Sequence, residues 1–178
     1  DVWKNKFFIS VIPLGLFNYG GLMAIQTLWA GPWMTRVAGY SPLESATGLF
    51  WINITMLVSF FLWGYFLPKI INLGYSAIKI LKLGIPLSFL VMLTIILLGP
   101  KAGAFYITLF ILTSIFLSVI QPAVGLTFQS HLAGKALTSF NLLIFLGAFI
   151  MQWFIGLVID LVKGLGYSEI IGFKTSFS

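Results

Sequence analysis

Two amides and two indoles share one stripe of the first long apolar run, where Asn18, Leu22, Gln26, Trp29 and Trp33 follow spacings of four, four, three and four. On an α-helix those spacings lie on a single face. Three other runs carry similar groups: Asn53 with Thr55; Ser114, Ser118 and Gln121; and Asn141 with Gln152 on a stripe through Phe145 and Ala148. Their chemistry is hydrogen bonding without charge. Arranged around a central cavity, such aromatic faces and amides could hold a small polar or amphiphilic solute. The candidate contacts are Gln26, Trp29, Asn53, Gln121, Asn141 and Gln152. The competing reading makes the amides interhelical glue, worth about 0.6 to 2 kcal/mol each. Glue is the expected role of Asn18 and Asn141, Trp33 is expected in an interfacial aromatic belt, and Gln26, Asn53 and Gln152 fit either reading.

The elements that must position these groups are membrane spans. Five runs lack any Asp, Glu, Lys or Arg, at 7–35, 45–68, 83–100, 102–134 and 136–159. Runs of roughly 18 or more apolar residues match a hydrocarbon layer about 30 Å thick at a rise of about 1.5 Å per residue. A composition of 60% hydrophobic and 8% charged residues leaves too little polar surface for a soluble domain. A barrel would alternate in polarity, and Leu87 to Leu98 does not. The expected fold is therefore an all-α polytopic bundle with spans at about 7–35, 43–68, 76–98, 103–129 and 136–162. The tail, 163–178, reads as a loop and the approach to a further span. Short connections make successive spans antiparallel neighbours.

Local signals refine this outline. Pro13, Gly15, Gly20, Gly21 and the Gly31-Pro32 step weaken the first span, which is expected to bend or pack closely. Ser41-Pro42-Leu43-Glu44 forms a capping-box pattern, giving Glu44 a structural job. The second span is expected to end over Gly64 to Lys69, before a turn at Asn72-Leu73-Gly74. Pro122 interrupts the fourth span, and Asp160 is expected to pair with Lys163 at i and i+3. His131 reads as a solvated loop residue.

Ten Lys and Arg against four Asp and Glu give a net charge of +6, here a topology signal and not a nucleic-acid one. With the N-terminus inside, Lys4, Lys6, Lys69, Lys79, Lys82 and Lys135 lie inside with His131. Arg36, Lys101, Lys163 and Lys174 lie outside with Glu44, Asp160 and Glu169. There is no cysteine, and one His with four scattered acids makes no metal site, so no metal or other cofactor is expected. No ionisable group falls at the midplane of a span, which removes an obvious proton relay or cationic clamp and argues against an intramembrane enzyme.

Three segments together resemble the C-terminal half of a major facilitator superfamily transporter: Gln26 to Trp33, the inner segment Gly64 to Gly74, and Ala133 to Asn141. That resemblance equates the five spans with the family's helices seven to eleven and the tail with the start of helix twelve. It implies a secondary transporter in a cell inner membrane, moving a small solute by alternating access. Its partners would be the bilayer and an N-terminal six-helix half absent from this sequence. A titrating group, if transport is proton-driven, would belong to that half. The chain begins at Asp1, and both ends are expected to continue in a longer protein. Gly64 and Lys69 match the family's inner-loop motif, although Pro68 stands where an acid is expected. Gating is expected at Gly31, Pro32, Gly64 and Lys69. The first, second, fourth and fifth spans would line the cavity and the third would be peripheral. The alternative is a transporter-like sensor or membrane scaffold that binds without flux.

Overall fold

A computed structural model describes all 178 residues, and it is all-α, with no strand. Helices α1 (Lys6–Val37), α2 (Pro42–Asn72), α3 (Ala77–Leu98), α4 (Ala104–Thr127) and α5 (Ser130–Gly164) are followed by the short α6 (Glu169–Phe177). Five of these helices are long and apolar enough to cross a membrane. Bulky side chains cover their outer faces: Phe61 is 73% exposed, Phe149 69% and Phe145 66%. Water would not tolerate such contiguous apolar surface, whereas lipid does. The chain is a multi-pass membrane protein.

The expected spans are recovered, with differences at particular ends. α2 runs four residues beyond 68, to Asn72, so Gly64, Pro68 and Lys69 are helical and not part of an inner loop. A proline ring clashes with the carbonyl four residues earlier and leaves it without a donor. Here that residue is Gly64, whose position has nothing within 4 Å of an added Cβ, and the free carbonyl sits on an open face. The turn follows at Gly74, where φ is +88°. α5 starts at Ser130 rather than 136. The tail is a turn and then α6, capped by Ser168 and buried through Gly172, Phe173 and Ser176.

α1 is as irregular as its composition requires. Three stretches close i→i+5 hydrogen bonds, at Leu14–Tyr19, Ile25–Trp29 and Trp33–Val37. Pro13 and Pro32, which lack N–H groups, immediately precede two of them. α4 tightens instead, with a 3₁₀ stretch at Ile115–Val119 just before Pro122. Its Phe116 packs over Gly84 of α3, where an added Cβ would collide with the ring.

The tightest helix crossing joins α1 to α5. A Cβ on Gly20 would stand 2.6 Å from the Gly147 backbone carbon, and one on Gly147 would strike the Leu16 backbone. Small residues let the two backbones approach this closely. Below the crossing, Phe8 meets Phe128 and Phe140 edge to face, at 6.3 and 6.5 Å between ring centroids. α2 buries only Ser45 and Ile52, whereas α3 buries seven residues. α3 is thus better packed within this bundle than α2.

Gly20→Leu should therefore destabilise the protein by about 1–3 kcal/mol or more, as overpacking does. Gly64→Ala should be neutral or stabilising, by up to about 1 kcal/mol from helix propensity. Thermal unfolding of both variants in detergent, read by circular dichroism, checks the pair. Equal losses would contradict this packing.

Candidate functional site

α1, α2 and α4 surround a cavity of about 120 Å³ whose walls include Tyr19, Gln26, Met56, Phe60, Ser114 and Ser118. Gln26 lies in the middle i→i+5 stretch of α1, and Ser118 in the 3₁₀ stretch of α4, directly after Ser114 closes the regular helix. Both walls are irregular at the same level. The Ser114 and Ser118 hydroxyls donate to the carbonyls of Phe110 and Ile115, each at 2.7 Å. Their oxygens can still accept. The Gln26 amide and the Tyr19 hydroxyl join none of the side-chain hydrogen bonds that tie the other polar groups together. An amide offers two donors and an acceptor, so this wall can bind neutral polar groups in either sense.

Three further amides are tied to neighbouring helices, whereas Asn18, expected as glue, makes no side-chain hydrogen bond to another helix. Gln121 Nε2 donates to Asn141 Oδ1 at 2.9 Å, joining α4 to α5. Gln152 Nε2 donates to Thr27 Oγ1 at 2.9 Å, while Trp29 Nε1 donates to the Gln152 carbonyl at 3.1 Å. These contacts tie α5 to α1. Asn53 donates to Leu49 O of its own helix at 2.7 Å and is exposed, outside the cavity. The structure thus gathers Gln26 with Ser114 and Ser118, and separates them from Asn53, Gln121, Asn141, Gln152 and Trp29. Within α1 the widened turns part Gln26 from Trp29, because each i→i+5 closure shifts the register away from a 3.6-residue period. Gln26 consequently faces α4 while Trp29 faces α5.

Trp33 is fully buried rather than in a lipid-facing belt: its Nε1 donates to Ala102 O at 2.8 Å, and its ring stacks on Phe177 at 5.0 Å. The sequence showed the indole but not α6, which supplies the cover. Thr27, Tyr19, Met56 and Phe60 were also missed, since apolar and hydroxyl residues give no signal among so many like them.

The four expected gating residues occupy opposite ends. Gly31 accepts hydrogen bonds from Thr35 Oγ1 at 3.2 Å and Ser45 Oγ at 3.4 Å, linking the C-terminal part of α1 to the start of α2. Pro32 follows it, ahead of the last widened stretch. Gly64 and Lys69 lie far along α2, where Lys69 Nζ sits 3.9 Å from the Tyr65 ring centroid in a cation–π contact. Lys163 does not pair with Asp160. It lies 3.6 Å from Glu169, whose Oε1 also accepts from Arg36 Nη1 at 3.1 Å. The capping box forms as expected, with Ser41 N donating to Glu44 Oε2 at 2.8 Å. His131 is exposed. Comparison with family models, curated proteins and solved structures finds no match to this chain.

A double-mutant cycle of Gln152→Leu and Thr27→Val should give a coupling energy of about 0.6 kcal/mol, up to about 1.7, as for polar pairs in membranes. The cycle of Gln26→Leu with the same Thr27→Val should give a coupling near zero. Unfolding free energies in mixed micelles check both.

Proposed function

We propose that this chain is half of a secondary transporter of the major facilitator type, set in a cell inner membrane and moving a small neutral polar or amphiphilic solute by alternating access. The observation that supports this most is the cavity in which the unpaired Gln26 amide faces Ser114 and Ser118 across two irregular helices. Transporters place substrate sites near mid-depth, at broken helices whose backbone groups and flanking side chains meet the solute. A volume of about 120 Å³ is small beside the roughly 300–1,000 Å³ of ordinary ligand pockets, so admitting a solute requires α1 and α4 to part. Their i→i+5 and 3₁₀ turns suit that movement, because such turns exchange hydrogen-bond partners at lower cost than a regular helix. Gly31 and Pro32 then serve as the flexible points at one end of α1. A six-helix half beyond this sequence completes the pathway.

The second reading, a sensor or scaffold without flux, draws support from the Gln121–Asn141 and Gln152–Thr27 bridges, which hold α1, α4 and α5 together. The two readings differ in what Gln26 does. In proteoliposomes of the full-length protein, Gln26→Leu should cut solute flux about tenfold or more, equivalent to about 1.4 kcal/mol, while leaving membrane insertion and melting temperature unchanged. Wild-type flux indistinguishable from empty vesicles across a panel of neutral solutes would overturn the transporter reading in favour of the scaffold.

A further inference from the structure

The first turns of α3 present an electrostatic conflict. Lys79 and Lys82 sit at the N-terminal end of a helix, where the macrodipole is positive and favours anions. Neither pairs with an acid, since Glu169 alone takes part in the ion pairs, with Arg36 and Lys163. Apart from a 3.5 Å approach of Lys79 Nζ to Gly74 O, Lys79 has no polar side-chain partner. The same end of the bundle carries Lys4, Lys6, Lys69 and Lys135, against Asp1 as its one acid.

Each lysine stands at an apolar groove. Lys79 lines one of about 760 Å³ between α2, α3 and α4, with Tyr75, Leu83, Leu87, Leu112 and Trp63. Lys82 lines another of about 430 Å³ on the opposite flank of α3, walled by α1 and α4. Trp63, which lines the first groove, carries a buried indole nitrogen without a hydrogen-bond partner. An unsatisfied buried donor carries a desolvation cost, and nothing in the protein offers it an acceptor.

We propose that the α2–α3–α4 groove is the seat of an anionic phospholipid from the lysine-rich leaflet. Its acyl chain lies along Leu83, Leu87 and Leu112, and its phosphate meets Lys79 at the positive end of α3. A small rotation of Trp63 lets the indole donate to an ester carbonyl of the same lipid. Charge complementarity selects this occupant: an apolar chain fills the groove, and a headgroup with net negative charge resolves the conflict at its mouth. A zwitterionic lipid fills the groove but leaves the lysine's charge uncompensated. Basic pockets between spans recognise anionic headgroups by this combination.

Native mass spectrometry of the full chain, released from detergent with phosphatidylglycerol or phosphatidylcholine, tests the assignment. Phosphatidylglycerol adducts should predominate, and Lys79→Gln should weaken them about fivefold, as expected for the ~1 kcal/mol of one lysine facing an anionic lipid. Lys163→Gln, at the opposite end of the bundle, should change nothing. In a second measurement, brominated phosphatidylglycerol should quench Trp63 in a variant whose other tryptophans are phenylalanine, and inorganic phosphate should not displace the lipid. Equal adduct formation by the two lipids, an unaltered Lys79→Gln, or displacement by phosphate alone would each overturn the proposal. Lys79 is solvent-exposed, so its replacement leaves the fold intact.

Discussion

In hydrocarbon an unpaired backbone amide costs several kcal/mol, and 120 of the 140 backbone hydrogen bonds in this chain accordingly lie within its helices. That requirement governs where irregularity is permitted. α1 contains two prolines and several glycines, yet it does not break into a loop. It redistributes its hydrogen bonds into three widened stretches, and each keeps the ladder closed. α4 meets its own proline by tightening. In α1 and α4 the defects are absorbed by changing the pitch, whereas α2 and α3 carry Pro68 and Pro86 within regular helix. The pitch in turn rotates the side chains that follow, which is how one backbone rule decides which polar groups meet.

Much of the outline was legible because span length and charge placement are written directly in the residues. The runs bounded by Lys6 and Arg36, or by Glu44 and Lys69, mark helices that the structure reproduces within a few residues. Ser41 and Glu44 announced their capping box by spacing alone. What escaped was local compensation and distant partners. Pro68 reads as a helix end until one sees that the carbonyl it leaves free belongs to Gly64 on an open face. The stripe through Asn18, Gln26, Trp29 and Trp33 assumes a constant 3.6-residue period, which the widened stretches violate. Trp33 looks interfacial because the helix that covers it, α6, begins 136 residues later, at Glu169.

Charge shows the same dependence on distant contacts. Asp160 and Lys163 are ideally spaced for a pair on one helix, yet Lys163 turns to Glu169 across the α5–α6 turn. There Glu169 also receives Arg36 from α1, so a single carboxylate gathers cations from two long helices. The three groups are partly exposed, and surface ion pairs of this kind are each worth about 0–1 kcal/mol. Their effect is positional: they hold the start of α6 at the ends of α1 and α5, where Phe173 and Phe177 can close over Trp29 and Trp33. The stabilisation comes from those rings, and the ion pairs set the register in which the rings meet.

The difference between polar groups that build a membrane protein and those that work in it can be put in terms of satisfaction. Gln121, Asn141, Gln152 and Thr27 complete one another, and a completed pair gains little from a solute that would have to break it. Asn53 is satisfied by its own helix. Gln26 and Tyr19 are not completed, although they lie between three helices and not at the lipid surface. Both are only half-buried, so their polar atoms stay open to the cavity and free to pair with a polar group that enters it. Composition alone could not separate these cases, since all the amides looked alike in the sequence. Pairing and position together distinguish them: Asn18 is as unpaired as Gln26, but only Gln26 lines the cavity where the least regular stretches of α1 and α4 oppose each other.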